Sequence, residues 1–192
     1  MAHLSTPVAA HESTQSQHHV GARLWPNILS VAALVAILVV VLLAMGREPW
    51  CACGYTRIWH GVVRSSGTSQ HLTDWYTFAH VLDGFGFYLA LALIGRTWLL
   101  PVRLTLATAL AVAWEIFENT DFVIDHYRVA TLALGYRGDS IVNAVGDVLA
   151  CTLGFLLAAR LPVRMSVALG TGLTVIAAWV VLGHSTPTRA PG

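Results

Sequence analysis

The chain contains no lysine; its eleven basic residues are all arginine. That absence excludes Schiff-base chemistry on a lysine amine and the lysine of a phosphate-binding P-loop. Charge of either sign is scarce, at 11% of 192 residues, where a soluble domain carries about 25%. The net charge of +1 leaves no basic footprint for a nucleic acid. Cysteine is limited to Cys51, Cys53 and Cys151, too few for a disulfide scaffold. A nucleophile-elbow serine, an H-E-x-x-H helix, a Walker loop, a Rossmann fingerprint and an internal repeat are all missing. What the chain has instead is apolar residues, 56% of the total, with a mean hydropathy of +0.65. This is the composition of a membrane protein.

The apolar residues fall into runs that predict five transmembrane helices, at about residues 28–45, 77–95, 99–119, 140–159 and 165–183. Pro101 is tolerated in the first turn of the third. Residues 1–26 are expected as a disordered polar tail, 27–184 as one all-α membrane domain and 185–192 as a short polar tail. Two polar connections stand out, 46–76 and 120–139. The first holds Trp50, Trp59 and Trp75, which suit a segment packed at the membrane interface. The two shortest connections lie beside Arg96, Arg103, Arg160 and Arg164, so the positive-inside rule favours a cytoplasmic N-terminus with the long loops outside.

Four carboxylates interrupt these spans: Asp83, Glu115, Glu118 and Asp147. Each costs roughly 2.5–3.5 kcal/mol at a helix centre on insertion scales. They are therefore expected to face the bundle interior or a wet cavity. The topology brings them together. His80 and Asp83 lie near the start of the second span, Glu115, Glu118 and Asn119 near the end of the third, and Asp139, Ser140, Asn143 and Asp147 around the start of the fourth. At 1.5 Å rise per residue, all lie within roughly 10 Å of one membrane boundary. Within each span the spacing is i, i+3 or i+4, which puts each set on one helical face. Gly84, Gly86, Gly146 and Gly154 are expected to let the backbones approach closely there.

A pocket of oxygen ligands and a histidine suits a divalent cation, with His80, Glu115, Glu118 and Asp147 as candidate metal ligands. His71, Asp74, His80, Glu115 and Glu118 are the candidate acid–base groups. Asp83, Asn119, Arg128, Asp139, Ser140, Asn143 and Asp147 are the candidate ligand-binding groups, with Arg128 as an anion clamp. Helix N-termini beside the pocket favour an anionic group such as a phosphate. The acids have a structural reading as well, as packing glue paired with Arg128 or Arg137. Cys51 and Cys53 admit two readings, a disulfide or a metal site with His60 or His71. Asp74 or Thr73 is expected to cap the second span.

Several of these residues resemble a family of small multi-pass membrane proteins of alphaproteobacteria, catalogued as a domain of unknown function. They are Gly46-Arg47, Trp50-Cys51-x-Cys53-Gly54, the run Ser69 to Thr77, His80, Gly84-Phe85, Trp114-Glu115-x-x-Glu118-Asn119, Tyr127-Arg128-x-x-Thr131 and Gly138-Asp139-Ser140. The resemblance covers about residues 46–160 and implies membership without an activity. Asp83 stands where that family usually has histidine. A looser likeness to VanZ-like membrane proteins runs through His80, Glu115 to Glu118, Arg128 and Asp139 to Asn143 to Gly146, and implies a common bundle.

The expectation is an inner-membrane helical bundle whose polar pocket near one face binds a lipid or envelope-precursor head group, with or without a divalent metal. The alternatives are a small proton-coupled transporter and a non-catalytic membrane scaffold or assembly factor. The expected partner is the lipid bilayer, not a nucleic acid.

Overall fold

The computed structural model describes residues 9–127 and 135–185. Six helices are found there: α1 (Ala9–Ala44), α2 (Thr77–Ile94), α3 (Leu100–Glu118), α4 (Asp121–Tyr127), α5 (Ile141–Arg160) and α6 (Val163–Ser185). The described residues form no strand, only an isolated bridge between Trp59 and Thr73. Five helices are long and apolar enough to cross a membrane, over Asn27–Ala44, Thr77–Ile94, Leu100–Glu118, Ile141–Arg160 and Val163–Val180. These bounds lie within a few residues of the expected spans.

Two helical stretches lie where the sequence predicts none. α1 starts at Ala9, inside the segment expected as a disordered tail. Alanine, glutamate and glutamine are good helix formers, and the segment runs on into an apolar helix that nucleates it. α4 forms within the connection 120–139, with Asp121 in its first turn and His126 in its last, both favourable to the helix dipole.

α5 is the central helix. Of its span, 67% is buried, against 11% for α2 and 6% for α6. Leu38 and Leu42 of α1 pack with Ala111 and Val112 of α3 against Ala144, Val148 and Cys151 of α5. Further along, Leu91, Leu104 and Ala107 close around Phe155. In lipid the hydrophobic effect does not press helices together, so close approach must supply the attraction. The α2–α5 crossing achieves it with glycine. A Cβ on Gly84 would lie 2.1 Å from the Cys151 carbonyl, and one on Gly154 would lie 2.2 Å from the Val81 carbonyl. Gly146 admits the Leu72 carbonyl in the same way. Gly86 does not belong with these three, because a Cβ there meets nothing within 4 Å.

Residues 46–76 are folded onto themselves and onto α5. His60 N–H donates to the Thr73 carbonyl at 2.9 Å, and Leu72 N–H to the Arg57 carbonyl at 3.0 Å. Trp59 meets Trp75 edge-on, and the Trp75 indole N–H donates to the Gly61 carbonyl. Ser140 N–H and Ile141 N–H, at the head of α5, donate to the carbonyls of Ser69 and Glu48. Arg47 pairs with Asp121 of α4 and donates to the Arg137 carbonyl. The loop is thus fastened over the ends of α3 and α5 where the acids gather.

Candidate functional site

His80 is the centre of the acid cluster. α2 carries it one turn below the loop face, where it meets three carboxylates from three helices. Its Nδ1 lies 3.5 Å from Glu115 Oε1 of α3 and 3.8 Å from Asp83 Oδ2 of its own helix. Its Nε2 lies 3.7 Å from Asp147 Oδ2 of α5. His80, Glu115 and Glu118 each place a ligand atom within 4.8 Å of the others. The i, i+3 spacing of Glu115 and Glu118 turns both towards α2.

The partners of these carboxylates differ. Asp147 accepts a 2.8 Å bond from Thr77 Oγ1 at the start of α2. Glu115 is 1% exposed, and neither of its carboxylate oxygens has a hydrogen bond. His80 Nδ1 lies 3.5 Å from its Oε1. A buried carboxylate so poorly satisfied is costly, and its retention calls for a cation or a proton.

A cavity of about 630 Å³ lies beside the cluster. Ser69, Tyr76, Tyr136 and Asp139 line its loop end; His80, Asp83, Glu118 and Asp147 line its middle; Phe87, Leu110, Ala111 and Cys151 line its deep end. Polarity therefore falls with depth. Leu110, Trp114 and Phe117 line it and are each 46–49% exposed, and the Asp83 side chain is 53% exposed. The cavity opens sideways between α2 and α3.

A second, more polar cavity of about 790 Å³ lies on the other side of Tyr136 and Asp139, which line both. The wall between them is tightly bonded. Asp139 accepts from Tyr136 Oη at 2.9 Å and from Asn119 Nδ2 at 3.2 Å, and its own N–H donates to Asn119 Oδ1 at 2.8 Å. Gly138 makes the turn, at φ +95°, and a Cβ there would strike Asn119 and Ile124. Burial pushes the Asp139 carboxyl up to about 6, against the bonds from Tyr136 and Asn119 that lower it. The Tyr136 phenol is raised by its own burial and by the neighbouring Asp139 charge.

The structure divides the expected site residues into two groups. His80, Asp83, Glu115, Glu118 and Asp147 converge. Asn119, Ser140 and Asn143, expected to bind ligand, spend their polar groups on the fold. Asn119 holds Asp139. Ser140 Oγ donates to the Gln70 carbonyl and caps α5 by accepting from Asn143 N–H. Asn143 Nδ2 donates to the His71 carbonyl at 2.8 Å. Arg128 lies outside the described residues.

His71 and Asp74 are not hydrogen-bonded to each other. Asp74 is 1% exposed; its oxygens accept from Ser69 N–H at 2.7 Å and Tyr76 N–H at 2.8 Å. Its own N–H donates to Thr77 Oγ1, so it sits in a capping arrangement at the head of α2. Burial raises the Asp74 carboxyl, and these backbone donors work against that. His71 belongs to the second cavity, stacked on Tyr55 and tilted against His60. Burial lowers its basicity, as do the nearby His60 and Arg57. Cys51 and Cys53 are joined as a disulfide, which in this state offers no thiolate to a metal.

Thr77, Tyr136 and Arg47 were missed as members of the site framework. Thr77 had a readable signal, since it stands three residues after Asp74 at capping-box spacing. Arg47 stands in the Gly46-Arg47 motif of the resemblance but had no role assigned, since folding brings in its partners Asp121 and Arg137. Tyr136 bonds Asp139 only three residues on, a contact its residue type alone did not signal.

The family model described as "Protein of unknown function (DUF2585)" matches residues 42–186. A UPF0314 protein of Paracoccus denitrificans is 49% identical over 140 residues, 73% of this chain and 72% of that protein. One from Rhizobium meliloti is 48% identical over 167 residues, covering 86% and 83%. One from Novosphingobium aromaticivorans is 41% identical over 169 residues, covering 84% and 85%. No solved structure matches the chain.

Proposed function

Starting from a chain that belongs to the DUF2585 family, described as of unknown function, we propose that it binds an anionic lipid head group through a membrane-embedded divalent cation. The observation that carries this reading is Glu115. Its carboxylate is buried without a hydrogen bond, beside His80 and within ligand distance of Glu118. A cation held by these three satisfies the orphaned oxygens and offsets the neighbouring charges of Asp83 and Asp147.

Charge argues for the order of binding. Asp83, Glu118, Asp139 and Asp147 line the cavity, and no arginine is among its described lining residues. Four carboxylates alone repel a phosphate, so an anionic ligand needs the metal between them. Shape supports a lipid. The cavity falls within the usual size range for small-molecule sites, grades from polar to apolar, and opens sideways between α2 and α3 where a bilayer would lie. Its position near one face, and the absence of an inverted repeat, favour binding from one leaflet over transport.

The membrane is read as the bacterial inner membrane. The arginines at the two shortest connections support a cytoplasmic N-terminus, which puts the loop-covered face outside.

Elemental analysis of the disulfide-intact protein in mild detergent tests the cation. One divalent ion per chain is expected in the wild type and none in Glu115→Gln. A metal-free wild type would remove the cation from the proposal. The head group is tested by thermal stabilisation with phosphatidylglycerol against phosphatidylcholine. A preference for the anionic lipid that vanishes with EDTA is expected, and equal stabilisation by both lipids contradicts it.

A further inference from the structure

A second set of ligand-type side chains lies in the outer cavity, apart from the carboxylate cluster. Cys51, Cys53 and His71 each place a ligand atom within 4.8 Å of the others. His71 is 1% exposed, and its ring centroid is 4.9 Å from that of His60. His60 is 9% exposed; its Nε2 bonds Ser65 Oγ at 2.7 Å, while its Nδ1 is buried with no hydrogen-bond partner. All four residues line the same cavity. The loop is shaped around them, since a Cβ on Gly67 would lie 2.8 Å from the His60 ring.

The disulfide joins residues two apart in sequence. A bond over so short a loop ties no distant segments together, so it does little of what structural disulfides do for stability. Its two ends are unequal. Cys51 is 3% exposed, whereas Cys53 is open to solvent. An incoming thiolate can reach the Cys53 sulfur, and Cys51 then leaves with its sulfur accepting the Cys53 N–H at 3.2 Å.

We propose that Cys51 and Cys53 form a redox gate on a thiolate–imidazole metal site, with His71 as third ligand and His60 as fourth. The oxidised pair shuts the site. A dithiol reductant opens it, giving two electrons and two protons to the pair and leaving as its own disulfide. A zinc-class ion then displaces the two thiol protons and is held by two sulfurs and two nitrogens. That donor set suits a tetrahedral site and is softer than the carboxylate cluster below. This inference does not rest on the proposed lipid site.

Cobalt(II) titration of the full chain in detergent tests it, with and without a phosphine reductant. Only thiolate ligation gives a sulfur-to-cobalt charge-transfer band, so metal on the carboxylates is silent in this readout. The reduced wild type is expected to develop the band to saturation at one equivalent, and the untreated protein to show none. Cys53→Ser, at an exposed position, should abolish the saturable band. His71→Ala should weaken cobalt binding about tenfold or more. A reduced wild type without the band overturns the site. A band in untreated protein overturns the gate. An unchanged titration in His71→Ala, with the variant's melting curve showing it folded, overturns the ligand set.

Discussion

The buried carboxylates gathered at one end of this bundle are not treated alike. Asp74 and Asp139 sit in the loop layer, and both carboxylate oxygens of each accept hydrogen bonds. Glu115 sits one layer deeper, as buried as they are, with neither oxygen bonded. Proteins seldom leave a buried charge unsatisfied without a functional reason. The contrast teaches which acids build the site and which are built for something to bind.

The sharpest way to break this comparison is Asp139→Ala. It removes one acceptor from Asn119 Nδ2, which keeps the Glu115 carbonyl, and one from Tyr136 Oη, at about 1–3 kcal/mol for each buried bond lost. A loss on the order of 4 kcal/mol is expected in denaturant unfolding of the detergent-solubilised protein. Wild-type stability in this variant would end the division into two groups. Asp74→Ala comes next. It removes the acceptor of the Ser69 N–H in the loop and of the Tyr76 N–H at the head of α2, with a loss of roughly 2 kcal/mol by the same measurement.

A smaller effect is expected with pH. The folded Asp139 carboxyl holds its proton up to about 6, whereas its ordinary value is 3.8. Protonation therefore favours the folded state. Its contribution is fully present below 3.8 and is lost as the pH rises to about 6. Melting temperatures across that window should fall with rising pH, and Asp139→Asn should flatten the slope. An unchanged slope in that variant assigns the titration elsewhere.

The smallest expected change in stability, and the one of opposite sign, is Glu115→Gln. Neutralising a buried carboxylate that has no hydrogen bond should leave the metal-free protein unaltered or stabilise it by about 1 kcal/mol. If Glu115→Gln destabilises as Asp139→Ala does, Glu115 is structural and the proposed cation loses its support.

The spans were legible because apolar runs of this length admit little else. The gathering of acids was legible too. His80, Asp83, Glu115, Glu118 and Asp147 sit near corresponding ends of three alternating helices, and connectivity alone puts those ends on one face. The division of labour among the polar residues was not legible. Asn119, Ser140 and Asn143 share the chemistry of ligand-binding groups, and only their actual partners show them holding loop to helix. The short helix α4 was hidden because its stability depends on what it packs against and not on its own seven residues.

Periodicity and hydropathy thus settle, from the residues alone, that this is an all-α chain with five helices able to span a membrane and acids sorted to one end. They can do so because the spans are properties of single segments, and the order of the spans along the chain then puts the acid-bearing ends on one face. Which acid is satisfied, where the cavity opens, and that Cys51, Cys53, His60 and His71 share a cavity are decided by the tertiary structure. Each of these depends on groups far apart in the chain. Gln70 and Gly138, Thr77 and Asp147, and His71 and Asn143 meet only when the long loop folds over the head of α5.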